Sequence, residues 1–175
     1  MIGKKYENSS APHIDRESEL ISADPLVTLG SIRSFVSGDP TGDRIRVRYF
    51  KRERDDALVA KVWFGPGAEG PPGHAHGGSI AAVLDEAMGA TAWMLGHTGV
   101  IARLSVVFRR ALPLDTNAVV EARITRKSGK RIWISGHLLA SDGTAFAEAR
   151  GLFITLHMRR FTEGDKRKTT TQRPD

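Results

Sequence analysis

Residues 73–95 read GHAHGGSIAAVLDEAMGATAWML, and the folding of this stretch decides the rest of the chain. From Ser79 to Gly96 it is rich in Ala, Leu and Met, which predicts a helix, and its apolar residues run nearly all round the helical wheel. Such a helix has to be covered on most sides, which calls for a sheet around it. At its start, His76-Gly77-Gly78 presents backbone N–H groups that have no partner inside the helix, and glycine lets another atom come close to them. Two uses fit: the N–H groups can hold a substrate oxygen, or the glycines serve a tight turn that Ser79 or His76 caps.

Working outward, the period becomes two. Ile45, Val47 and Tyr49 alternate with Arg44, Arg46 and Arg48, and Leu58 to Phe64 alternates likewise after a charged turn at Glu53 to Asp56, predicting a hairpin. The Pro/Gly-rich segment 65–73 then delivers the chain to the helix. Beyond Gly96, strand-like runs cover Val100 to Leu112, Ala118 to Lys127, Arg131 to Ser141 and Thr144 to Leu156, with Asp142-Gly143 a strong two-residue hairpin signal. The predicted order is two strands, one long buried helix and a four-stranded meander, an α+β architecture. Residues 26–36 read as a short helix or edge segment, and the first 25 residues and the tail from 157 are unpatterned, with mobile ends expected. The expected division is an N-terminal extension 1–34, one domain 35–157 and a basic tail 158–175.

The 26 Lys plus Arg against 20 Asp plus Glu leave a net charge of +6, which favours an anionic partner such as a phosphorylated cofactor. Nucleic-acid binding has only this charge in its favour, with no aromatic-basic interleaving to support it. Zero cysteines exclude disulfides, thiolate metal sites and a cysteine nucleophile, and fit a reducing cytosol. No secretion signal is visible, and Ile80 to Leu95 is too short and too acidic for a membrane span, so a cytoplasmic protein is expected.

Asp85 sits in the apolar run, where an unpaired carboxylate is costly and burial raises its pKa towards that of a general base. An ion pair with Arg103 or Arg109 is the competing reading, and Glu86, about 100° round the helix, reads as the structural carboxylate. Gly77 and Asp85 are eight positions apart, roughly 12 Å along the axis, too far for one reacting carbonyl to touch both. Two such helices packed antiparallel about a two-fold axis would bring Asp85 of one copy to Gly77 of the other. His74 and His76 lack a usual zinc spacing, and Ser79 lacks an elbow motif, so neither a metal site nor a serine hydrolase is expected.

His76-Gly77-Gly78 followed by Asp85-Glu86, with the aspartate nine residues after the histidine, resembles the signature of hotdog-fold acyl-CoA thioesterases of the PaaI type. The element order over residues 35–156 resembles that fold, an antiparallel sheet wrapped around one central helix. The resemblance implies hydrolysis of an acyl-CoA to free acid and CoA, without a cofactor. It casts the Gly77 N–H, beside Gly78 and the turn-shaping His76, as the oxyanion donor, and Asp85 of the opposite subunit as general base or nucleophile. It further implies a homodimer or a dimer of dimers. Many relatives carry Thr or Ser sixteen residues after the aspartate, where this chain has Ile101; by simple alternation Ser105 shares its face and is the candidate substitute. Arg109, Arg110, Lys130 and Arg131 are candidates for the CoA phosphates, and Met88, Trp93 and Trp133 for an acyl channel. The alternative reading is a hotdog protein that binds acyl-CoA or an aromatic ligand without turnover.

Overall fold

The computed structural model of the chain describes residues 20–23 and 34–156. Seven strands form one antiparallel sheet: β1 (Leu20–Ser22), β2 (Ile45–Arg52), β3 (Ala57–Phe64), β4 (Gly99–Phe108), β5 (Thr116–Ser128), β6 (Arg131–Leu139) and β7 (Ala145–Thr155). Helix α1 (Gly77–Met94) lies between β3 and β4 in the chain and packs against one face of that sheet. No helix among the described residues is long and apolar enough to cross a membrane.

Side-chain period explains each layer. In β2, Ile45, Val47 and Tyr49 are buried and Arg46 and Arg48 exposed, and β2 pairs with β3 from Ile45 opposite Phe64 to Arg52 opposite Ala57. From α1, Ile80, Val83, Leu84, Ala87, Met88 and Thr91 are buried at helical spacing, against Phe64, Ile132, Ile134, Leu138 and Phe153 of the sheet. Gly136 lets the helix approach closely: a Cβ there would meet Met88 Cγ at 3.2 Å and Leu84 Cδ2 at 3.3 Å. A hairpin forms at Asp142-Gly143, but with a three-residue loop, 141–143, in place of the two-residue one predicted: Ala140 N–H donates to Thr144 O (2.8 Å), Gly143 N–H to Ala140 O (3.0 Å), and Gly143 takes the positive φ of 82° while Asp142 does not.

Three further expectations are corrected. The four C-terminal strands are not a simple meander, because the sheet order is β1-β2-β3-β5-β6-β7-β4. Alternation identifies a strand but says nothing of its partner: β4 leaves to the far edge beside β7, and β5 pairs with β3. The strand predicted to reach Leu112 ends at Phe108, where Arg109–Asp115 cross back with Leu112 fully buried. Leu20–Ser22, within the stretch read as unpatterned, extends the sheet by pairing with Phe50–Arg52. Most of the 26–36 segment and the tail from 157 lie outside the described residues.

Arg52 closes the β2–β3 hairpin from inside. Its guanidinium binds Asp55 through Nε (2.9 Å) and Glu121 through Nη1 (2.8 Å), and both Arg52 and Glu121 are buried. That contact holds the Asp55 carboxyl below its ordinary range. Arg52→Ala would leave Glu121 buried without its counter-ion, so unfolding in urea should show a loss of about 3–5 kcal/mol. A double Arg52→Met/Glu121→Leu variant should recover most of that loss, since no charge is then stranded.

Candidate active site

The turn before α1 is clamped by backbone bonds: His76 N–H donates to Ala68 O (2.7 Å) and Ala75 N–H to Leu112 O (2.8 Å). The helix mouth is thereby fixed between the loop after β3 and the crossing segment after β4. His76 is the N-cap, and its Nδ1 accepts the Gly78 N–H at 2.9 Å, so that nitrogen is unprotonated. The Ser79 and Ile80 N–H groups both reach His76 O (2.9 and 3.3 Å). Of the two readings of the glycine pair, the cap therefore claims Gly78, while the Gly77 N–H has no acceptor among the described residues.

Gly77 lines a cleft of about 310 Å³ with His74, Ile80, Phe108, Arg110 and Leu112. Gly78 and His76 open instead on a neighbouring cleft of about 410 Å³ with Phe35 and Arg44. Phe108 is the residue that sequence reasoning missed. Its ring lies over the helix mouth, 3.3 Å from where a Gly77 Cβ would sit, and it is 52% exposed. Two-residue alternation from Val106 was the available signal for its inward position.

Asp85 is not buried in the chain as expected: it is exposed on the outer side of α1. The apolar neighbours that suggested burial there are small, with Ala81, Ala82 and Gly89 half-buried themselves. Among the described residues Asp85 has no hydrogen-bond or ion-pair partner, so the pairing with Arg103 or Arg109 does not form. Its pKa is nonetheless raised, first by partial desolvation against the helix surface and then by the neighbouring charge of Glu86. Glu86 is the carboxylate tied into the fold, accepting from Tyr49 Oη at 2.6 Å and from Ser34 Oγ. Ser34 in turn receives the N–H groups of Val36 and Ser37, which pins that turn to the helix.

A bulge corrects the reading of β4. Register shifts between Ile101 and Arg103, so Ile101, Leu104 and Val106 pack on the core while Ser105 stands opposite exposed Arg150 on the other face. Ser105 therefore does not share a face with Ile101. Arg109 and Arg110 both line the Gly77 cleft, and Arg109 is also held by Glu148, Nη2 to Oε2 at 3.0 Å. Lys130 lies in the β5–β6 turn and Arg131 opens β6, where nearby Lys127 Nζ meets His97 Nε2 at 3.2 Å just past the end of α1. The 18-residue helix, roughly 27 Å long, thus separates them from Gly77 within one chain. Met88 is fully buried, Trp93 Nε1 donates to Gly99 O, and Trp133 lies under Arg126 at 4.8 Å, so none lines the cleft at Gly77. No group of His, Asp and Glu among the described residues could hold a metal.

The profile of the thioesterase superfamily matches residues 72–147, from the helix-entry loop into β7. Acyl-coenzyme A thioesterase THEM4 of Bos taurus is 30% identical over 129 residues, covering 73% of this chain and 53% of that protein. Acyl-coenzyme A thioesterase THEM5 of Homo sapiens is 33% identical over 98 residues, covering 54% of this chain and 40% of that protein. The chain thus spans about half or less of the length of these curated relatives. A Bacillus halodurans protein solved with CoA superposes with a TM-score of 0.52 at 26% identity, covering 56% of this chain and 66% of that one. With its helix packed on one antiparallel sheet this chain has the hotdog fold, and across the helix mouth and into β7 its residues 72–147 match the thioesterase superfamily.

Proposed function

We propose that this chain hydrolyses acyl-CoA thioesters at a site shared between two copies. The observation that carries this reading is the unengaged Gly77 N–H at the positive end of α1, opening on a cleft beside Phe108 and Arg110. A thioester oxygen placed there gains charge as the carbonyl carbon is attacked, and a fixed donor with the helix dipole stabilises that charge. Asp85 of a second copy takes a proton from water as the hydroxide adds, or attacks the carbon itself to give an anhydride that water opens. In both routes the C–S bond breaks and CoA leaves as the thiolate.

Two observations support a second copy. Asp85 is absent from the Gly77 cleft and lies roughly 12 Å of helix rise away. Strand β4 pairs only with β7, leaving its other edge open among the described residues, and it exposes Val100 (43%), Val107 (45%) and Phe108 (52%). An unprotected apolar edge favours strand-to-strand pairing with another copy. In an antiparallel helix pair, Lys130 and Arg131 of one copy approach the helix mouth of the other, where Arg110 also serves the CoA phosphates. The names of the THEM4 and THEM5 relatives and the CoA in the Bacillus halodurans protein support this substrate class.

One observation favours binding without turnover. Ile101 brings no hydroxyl to the helix side of β4, and the bulge turns Ser105 away. Thiol release from short, long and aryl acyl-CoAs decides between the readings. Turnover supports hydrolysis, whereas saturable binding with no thiol released across the panel supports the binding protein.

A further inference from the structure

On the face of the sheet turned away from α1, four residues stand in one cross-strand row. Arg123 of β5 is opposite Ser135 of β6, Ser135 is opposite Arg150 of β7, and Arg150 is opposite Ser105 of β4. Directly paired residues of antiparallel strands share a face, and adjacent strands are about 4.8 Å apart, so the two arginines flank Ser135 with Cα atoms about 10 Å apart. Arg123, Arg150 and Ser105 are exposed. The Ser135 hydroxyl is shielded from solvent and has no hydrogen-bond partner, the one such buried side-chain group among the described residues.

The carboxylates beside this row make their direct bonds elsewhere. The next row carries Glu121, His137 and Glu148, but Glu121 is bound by Arg52 at 2.8 Å and Glu148 holds Arg109 through both oxygens at 3.1 and 3.0 Å. Neither Arg123 nor Arg150 has a hydrogen-bond or ion-pair partner among the described residues. Glu148 reaches Arg150 only through the longer-range attraction that helps lower its own pKa, so two guanidinium groups without a direct partner flank an unsatisfied hydroxyl, and an oxyanion could accept from all three.

We propose that Arg123, Ser135 and Arg150 form a phosphate-binding site on the outer face of the sheet, distinct from the cleft at Gly77, with Ser105 at its margin. The guanidinium groups would grip a phosphate monoester from both sides while the Ser135 hydroxyl donates from below. The site goes beyond the thioesterase reading and stands whether or not that reading does.

Titration calorimetry of the full chain with inorganic phosphate tests it. Wild type should bind saturably, and Arg123→Gln/Arg150→Gln should weaken binding by about tenfold or more. Arg48→Gln, an exposed cation on the same face but on β2, two strands from Arg123 and four from Arg150, should leave it unchanged. Ser135→Ala should weaken phosphate binding without lowering thermal stability, because it removes a buried group that has no partner; a purely structural serine would not separate the two. Displacement of phosphate by CoA but not by 3′-dephospho-CoA would assign the occupant as a nucleotide phosphate. Displacement by neither would assign free phosphate or another monoester. Absence of saturable binding, or equal weakening by Arg48→Gln and the double variant, would overturn the site.

Discussion

Asp85→Asn should lower kcat for acyl-CoA hydrolysis by about 10²–10⁴, the range expected when a positioned general base is lost, while the fold persists. Persistence follows because Asp85 is exposed and makes no hydrogen bond among the described residues, so the amide displaces nothing. The wild-type rate should also report the raised pKa of this group. In the proposed reaction its ionised form is the active one, so kcat/KM should rise with pH through a value raised above that of an ordinary aspartate. Because the Glu86 charge is the second cause of that shift, Glu86→Gln should move the acid limb to lower pH. Stability carries the opposite sign. A carboxyl whose folded pKa lies above its unfolded one binds more protons folded than unfolded between those two values. Its contribution therefore favours the folded state on the acid side and is lost as pH rises through the folded pKa. Asp85→Asn should accordingly melt no lower than wild type at neutral pH, with the difference closing in acid. Wild-type activity in Asp85→Asn would remove this residue from the chemistry.

The parts of this molecule legible in the sequence were those set by local period. Alternation at Ile45–Tyr49, the Asp142-Gly143 turn and the Ala-, Leu- and Met-rich run after Gly78 each describe what one segment does by itself. Partner choice does not have that property. Nothing in the β4 residues announces that they pair with β7, and the shift between Ile101 and Arg103 leaves no glycine or proline to mark it. That single shift reverses the face of Ser105 and so changes its meaning from helper of Asp85 to neighbour of Arg150. The carboxylate pair shows the same limit. Asp85 and Glu86 are adjacent in an apolar run, but Tyr49 of β2 and Ser34 select Glu86 as the one held inside, through contacts 37 and 52 residues away. The helix mouth was the most legible part of the candidate site because its orphan N–H groups are a property of any helix start, while the choice of His76 over Ser79 as the cap, which divides Gly77 from Gly78, rests on a side-chain orientation that no local pattern announces.

Gly77→Pro should separate the donor from the fold and cost hydrolysis about 10²–10³ in kcat, the loss typical of removing one oxyanion donor. Position 77 is the first residue of α1, where proline is best tolerated because its missing N–H has no helical acceptor to leave unpaired. The residue before it is also suited, since His76 has φ −63° and ψ 135°, the extended conformation that a following proline demands. The atoms nearest an added Cβ belong to Phe108, whose Cζ would be 3.3 Å away and whose ring is half-exposed. Circular dichroism and the melting temperature should therefore stay near wild type while thiol release falls. Gly77→Ala adds a similar Cβ but keeps the N–H, so it should retain much more activity; equal losses would point to crowding of the cleft and not to the donor. Nor can the next residue take over, because the Gly78 N–H already points to His76 Nδ1 at 2.9 Å and the two after it are bonded to His76 O. If Gly77→Pro turned over acyl-CoA at the wild-type rate, no free N–H at this helix end would be left to hold the oxyanion, and the reaction would have to be placed elsewhere on the molecule.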